Sequence, residues 1–210
     1  MIKDEILLLA READVCGAYQ DIMIADTEEQ IIQAGLPLLE WAYRTGILTD
    51  SILNQFDKSL LNANGIYRTG SHVLKNPLLD IYCLGDSSVE IFLTGNSKCN
   101  VFSTSSLVLN LSGNAFVKTK IFSGALSLEQ NQNSLSCNEL TGGNHNINTK
   151  DETVCHIKVY ENTQLTLQTN NNSYNKLQGF YNSITTGYEN SSIPVDVMLS
   201  QKAIYQYGLQ

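Results

Sequence analysis

Three observations predict that this chain is α+β, with a small helical domain, a short β-solenoid and an extended C-terminal arm. First, between Leu78 and Leu177 a turn signal recurs about every nine or ten residues, each time followed by a short alternating run. Gly85-Asp86-Ser87, Gly95-Asn96-Ser97, Gly113-Asn114-Ala115 and Asn133-Ser134 open such units, and 89–93 is a typical run. A unit of one turn and one strand cannot bury its apolar face alone and must stack on its neighbours. Second, residues 1–66 carry helical spacing and capping signals instead. Third, the repeat gives out after Tyr181. The predicted divisions are 1–66 helical, 67–181 solenoid and 182–210 arm.

In the helical stretch, Ile6, Leu7 and Leu9 begin an apolar face that Ala13, Cys16, Tyr19, Ile22 and Met23 continue. Asp26 precedes Thr27-Glu28-Glu29-Gln30, which supplies an N-cap and its capping-box partner. A broadly apolar helix follows, with Pro37 as a kink or break after Gly35 and Gly46 as its end. Asp50 is expected to cap a shorter helix containing Ile52, Leu53, Phe56, Leu60 and Leu61, stopped at Asn64-Gly65.

Turn signals at Thr69-Gly70 and Asn76-Pro77 flank a first strand at His72-Val73-Leu74. Two units would make a coil of about nineteen residues, so that 78–177 form about five coils and a rod of about 25 Å. The repeat loosens at Thr141-Gly142-Gly143-Asn144-His145-Asn146, where a longer loop is expected to bulge. A parallel stack leaves unpaired backbone groups at each end and needs caps. The helical domain can cover the first coil, and the arm either covers the last or reaches another subunit.

The 210 residues carry a net charge of −8, which argues against binding a nucleic-acid backbone. Most of that charge lies early: residues 1–68 hold eleven acidic side chains against five basic, and 69–210 hold ten against eight. Cys16, Cys83, Cys99, Cys137 and Cys155 show no C-x-x-C spacing and read as small buried hydrophobes, with Cys155 on the face of Ile157 and Val159. Free thiols suit a reducing cytoplasm. The apolar patch at 6–10 is too short to span a bilayer, and no cleavage site follows it, so neither signal peptide nor membrane anchor is expected.

Paired carboxylates would be needed for general acid–base work. Asp86 with Glu90 and Asp151 with Glu152 are the nearest approach to a pair, and the one tryptophan, Trp41, lies in the helical part. These acids read as solvent-exposed. His72, His145 and His156 lack metal-ligand spacing and read as surface or loop residues. Gly142-Gly143 lacks the helix and lysine of a phosphate loop. No cofactor is expected. Alternation points Phe92, Phe102 and Phe122 outward, and an exposed aromatic patch marks a protein contact. The arm adds Tyr181, Tyr188, Tyr205 and Tyr207 as interface candidates.

The junction Leu60-Leu61-Asn62-Ala63-Asn64-Gly65-Ile66-Tyr67, followed by Leu74-Lys75-Asn76-Pro77, resembles an element of small proteins encoded by Bacteroidota phages and prophages. There a helical domain leads through a "GIY…NP" connector into a short β-solenoid. The resemblance covers residues 1 to about 177 and brings no catalytic residues with it. It implies a mobile-element setting and a structural role in the virion. The expectation is therefore a non-enzymatic structural protein, made in the host cytoplasm and built into the particle. It would form homo-oligomers and contact other virion proteins, with no nucleic acid or membrane as direct partner. A carbohydrate-binding or carbohydrate-cleaving solenoid, or an intracellular adaptor, are the alternatives.

Overall fold

The computed structural model describes residues 2–12 and 16–208. The chain divides into two compact units, 1–66 and 67–210.

The first unit holds α1 (Ile2–Glu12), α2 (Cys16–Ile24), α3 (Glu28–Gly35), a 3-10 turn (Leu36–Leu38), α4 (Leu39–Arg44), α5 (Asp50–Leu53) and α6 (Lys58–Ala63). At α3 the Thr27 hydroxyl accepts from the Gln30 N–H while the Gln30 side chain accepts from the Thr27 N–H, a complete capping box. Pro37 sits in the 3-10 turn, where its missing N–H interrupts the helical ladder between α3 and α4. The single helix expected over 50–64 is in fact two. Thr49, not Asp50, caps α5 by accepting from the Ile52 N–H, and Asp57 caps α6 by accepting from the Leu60 N–H. The Ser59 hydroxyl and that N–H hold the Asp57 carboxyl below its ordinary range. Ala13 and the side chains of Cys16 and Tyr19 lie outside the described residues.

Buried Ile22, Ile32, Leu39, Leu53 and Phe56 surround an apolar cavity of ≈ 100 Å³ in this unit. Gly35 also lines it, and a Cβ built there meets nothing within 4 Å. Its backbone is right-handed helical, at φ −82°. Gly35→Ala should therefore stabilise this unit by about 0.5–1 kcal/mol, because alanine loses less backbone entropy in a helix. Thermal unfolding followed by circular dichroism checks it; a lower Tm would contradict the free space.

The second unit is a β-solenoid of about seven turns. Its strands are β1 (Ile66–Lys75), β2 (Ile81–Leu93), β3 (Lys98–Ser103), β4 (Ser106–Leu111), β5 (Phe116–Phe122), β6 (Ala125–Gln130) and β7 (Leu135–Thr141). They continue with β8 (Asn144–Thr149), β9 (Val154–Tyr160), β10 (Gln164–Asn171), β11 (Tyr174–Gly179), β12 (Ile184–Ser191), β13 (Asp196–Leu199) and β14 (Ile204–Tyr207). Residues 81–83 of β2 pair with β3, and 88–93 of the same strand pair with β4. From there the odd-numbered strands to β13 form one parallel sheet and the even-numbered strands to β14 the other. We call these the odd and even sheets. β1 pairs with β2.

Register follows coil length. Val89 pairs with Leu107, 18 residues on, Leu126 pairs with His145, 19 on, and Gln164 pairs with Ile184, 20 on. The inward side chains stack like upon like. Ile91, Leu109, Leu128, Ile147 and Leu167 form one aliphatic column, each wholly or almost wholly buried. The interior also holds a polar network that spans the two sheets. The Thr119 hydroxyl donates to Asn138 Oδ1 at 2.8 Å, Asn138 Nδ2 donates to Ser136 Oγ at 2.9 Å, and Ser136 Oγ donates to Gln130 Oε1 at 2.8 Å. Gln130 Nε2 then reaches the carbonyls of Ser134 and Val154, tying the two sheets and successive coils together.

Three expectations are corrected. The solenoid has about seven coils rather than five, because 184–207 continue the stack: β12 pairs with β10, β13 with β11 and β14 with β12. Residues 182–207 are thus coil, not an extended arm. The loop expected at 141–146 is a two-residue corner between β7 and β8, with Gly142 and Gly143 at φ +67° and +82°. The missed coils have a physical cause. Corners take positive φ, and at the turns from the odd sheet to the even the residues that do so are Ser123, Gly142, Gly143, Glu161, Asn162, Tyr181, Gln201 and Lys202. At the last two of these turns the left-handed residues are Tyr181, Gln201 and Lys202, so those corners lack the usual turn signature.

Candidate functional site

Strict alternation leaves four outward positions on β5, β7 and β9 of the odd sheet. The middle two positions form columns along the stack. One runs Asn100, Lys118, Cys137, His156, Lys176, Asp196, and the next runs Phe102, Lys120, Glu139, Lys158, Gln178, Met198. The strands of the odd sheet carry Lys98, Lys118, Lys120, Lys158 and Lys176. The strands of the even sheet carry no lysine or arginine, and hold Glu90, Glu129 and Glu189. A region nearly neutral by sum is therefore sorted by face. The signal was present in the sequence as lysines in alternate units, visible only once the units are assigned to alternate sheets.

A groove of ≈ 430 Å³ lies on the odd face, lined by Lys118, Cys137, Glu139, His156, Lys158 and Lys176 among others. Lys158 Nζ stands 3.5 Å from Glu139 Oε1, and Lys176 Nζ 3.9 Å from Asp196 Oδ2. Both pairs are solvent-exposed and worth little. Burial pushes the Cys137 thiol up, against the opposing pull of Lys118 and Lys158. The other described cysteines, Cys83, Cys99 and Cys155, face the interior, where burial pushes each thiol up to about 12. Cys155 shares the core face of Ile157 and Val159.

The interface candidates separate. Phe92 and Phe122 are half-buried on outer faces. Phe102 has outward parity but is only 5% exposed, between its ladder neighbours Tyr82 and Lys120. Tyr205 is turned inward against the core, over Gly187, where no Cβ would fit beneath its ring; its hydroxyl donates to Glu189. Burial and that carboxylate raise its pKa. Tyr188 is half-buried, while Tyr181 and Tyr207 are exposed.

The acids and histidines fall in separate places. Glu90 accepts from Asn110 Nδ2 on the even face, and Asp151 accepts from the Gln132 N–H and Asn171 Nδ2 at a corner. Among the described residues, no three His, Cys, Asp or Glu side chains converge as a metal site would require. His72 lies in β1 and His156 on the odd face, but His145 is buried, contrary to the surface reading. Its Nδ1 accepts from the Leu126 N–H at 3.2 Å, and its Nε2 lies 2.8 Å from the Gly142 carbonyl. Burial lowers its pKa. The unfolded chain takes up a proton near pH 6.5 that the folded one resists, so stability falls as pH drops below that value. Between pH 7.5 and 5.5 the native protein should lose more Tm than His145→Gln; equal losses would remove the assignment.

Comparison with protein-family models, with curated proteins and with solved structures returns no match. What the geometry defines is the class: a two-sheet parallel β-solenoid with a charge-sorted surface, following a unit of short helices.

Proposed function

We propose that this chain is a non-enzymatic structural and interaction protein that presents the outer faces of a rigid β-solenoid to its partners. The observation that carries the reading is the sorting of charge between the two sheets. Lysines recurring at whole-coil intervals along one face suit an extended partner better than a single small molecule in a cleft. Rigidity is supported by the continuous backbone ladder, in which each coil braces the next. The setting in a phage particle rests on the resemblance of residues 60–77, with the helical unit as the docking part and self-association as the assembly mode.

Light scattering of the purified chain, alone and with its particle, tests this. The expected result is a stable oligomer that binds particles and loses that binding when residues 1–66 are removed. A monodisperse monomer that ignores the particle would overturn the virion setting.

A further inference from the structure

We infer that the groove on the odd sheet binds a linear acidic polysaccharide, lying along the solenoid axis. The floor of the groove is the pair of columns that carries Lys118, His156, Lys158 and Lys176. Lys118, His156 and Lys158 are exposed, and Lys176 is half-buried. The exposed ion pairs of Lys158 and Lys176 are weak enough to yield to an incoming carboxylate. On either side the floor is bounded by rails of half-buried apolar and aromatic groups. Leu135, Val154 and Tyr174 form one rail, and Tyr160 stacked on Phe180 at 5.0 Å belongs to the other. The rails stand six residues apart along each strand, about 20 Å, which leaves room for one polymer chain and its substituents.

Periodicity selects the polymer. Coils repeat at about 4.8 Å, whereas an extended peptide advances about 3.3 Å per residue and a B-form strand about 3.4 Å per nucleotide. The advance of one pyranose unit along an extended chain is close to the coil spacing, so each sugar lies over one coil. Charge selects it as well. Glu139 and Asp196 interrupt the lysines, and the chain as a whole carries −8, so a strand charged at every step is repelled. A polymer with intermittent carboxylates meets the lysines, and its hydroxyl groups donate to Glu139 and accept from Gln178. Aromatic side chains give sugar rings a flat apolar surface.

This assignment rests on the reading of the outer faces as binding surfaces. Affinity electrophoresis of the full chain in gels containing hyaluronate, which carries a carboxylate on every second sugar, neutral dextran or poly(U) tests it. Retardation by hyaluronate alone, weakened by added salt, is expected. The variant K118Q/K158Q/K176Q should weaken that binding at least about tenfold, and K75Q/K150Q/K202Q less than about twofold. If the first triple variant loses its circular dichroism spectrum, the single exposed substitution Lys158→Glu replaces it. No retardation, stronger retardation by poly(U), or equal losses in both triples would overturn the proposal. In that case an intact oligomer that still binds particles keeps the structural reading standing. New reducing ends on the hyaluronate would do the reverse, supporting the ligand and overturning the non-enzymatic reading.

Discussion

Leu128→Asp is expected to unfold the middle of the solenoid. Leu128 is 1% exposed and lies in the aliphatic column between Leu109 and Ile147. An aspartate there is an unpaired carboxylate with no donor in its column, and the lost side chain leaves a void above and below. Burying such a group costs several kcal/mol, against a total stability on the order of 5–15 kcal/mol for a domain. A Tm loss of at least about 10 °C follows for a chain of this size. Because each coil contacts only its neighbours, calorimetry should show the single transition split as the coils on either side uncouple. Ser127→Asp is the control. Ser127 is the next residue, exposed on the even face, and its substitution should leave Tm within about 2 °C, as ordinary surface changes do. Similar losses from both would contradict the alternation of the strand.

The second large effect is at the corner between β7 and β8. Gly143→Ala places a Cβ 2.3 Å from the carbonyl oxygen of Gly124 in the preceding coil, on a backbone at φ +82°. Gly142→Ala meets only the left-handed backbone, at φ +67°, since its nearest atom is 3.8 Å away. The conformational cost alone is about 1–2 kcal/mol. Gly143→Ala adds the separation of two coils, because the atom in the way is backbone and cannot rotate aside, and should cost about 3 kcal/mol or more. Chemical denaturation of the two variants side by side isolates the coil contact; equal destabilisation would mean that the coils do not close at this corner.

Several features of the fold were legible because they are local. Thr27 and Gln30 form their capping box within four residues, and Asn64 and Gly65 end α6 where turn chemistry required. The inward facing of Val89, Ile91, Cys155 and Ile157 follows from strand alternation alone. The later coils were hidden because Tyr181 and Gln201 occupy left-handed corners that glycine or asparagine would have announced. There the stacking of the coils imposes a backbone that these residues do not favour by themselves. His145 was misplaced for a related reason. Next to Gly142-Gly143 it reads as loop, yet the corner is so tight that the strand resumes at Asn144 and turns the ring inward.

The candidate site was least legible. Lys118, His156 and Lys176 lie in different units, nineteen or more residues apart, and nothing in their spacing along the chain announces a groove. By itself the sequence determined the period, the alternation and the caps, since each depends on residues within a few positions of one another. Which units share a sheet, where the stack ends and which side chains meet on one face were decided only by the tertiary structure. Those relations join residues a full coil apart, and it is the register of the parallel ladder, set by coil length and corner geometry, that brings them together.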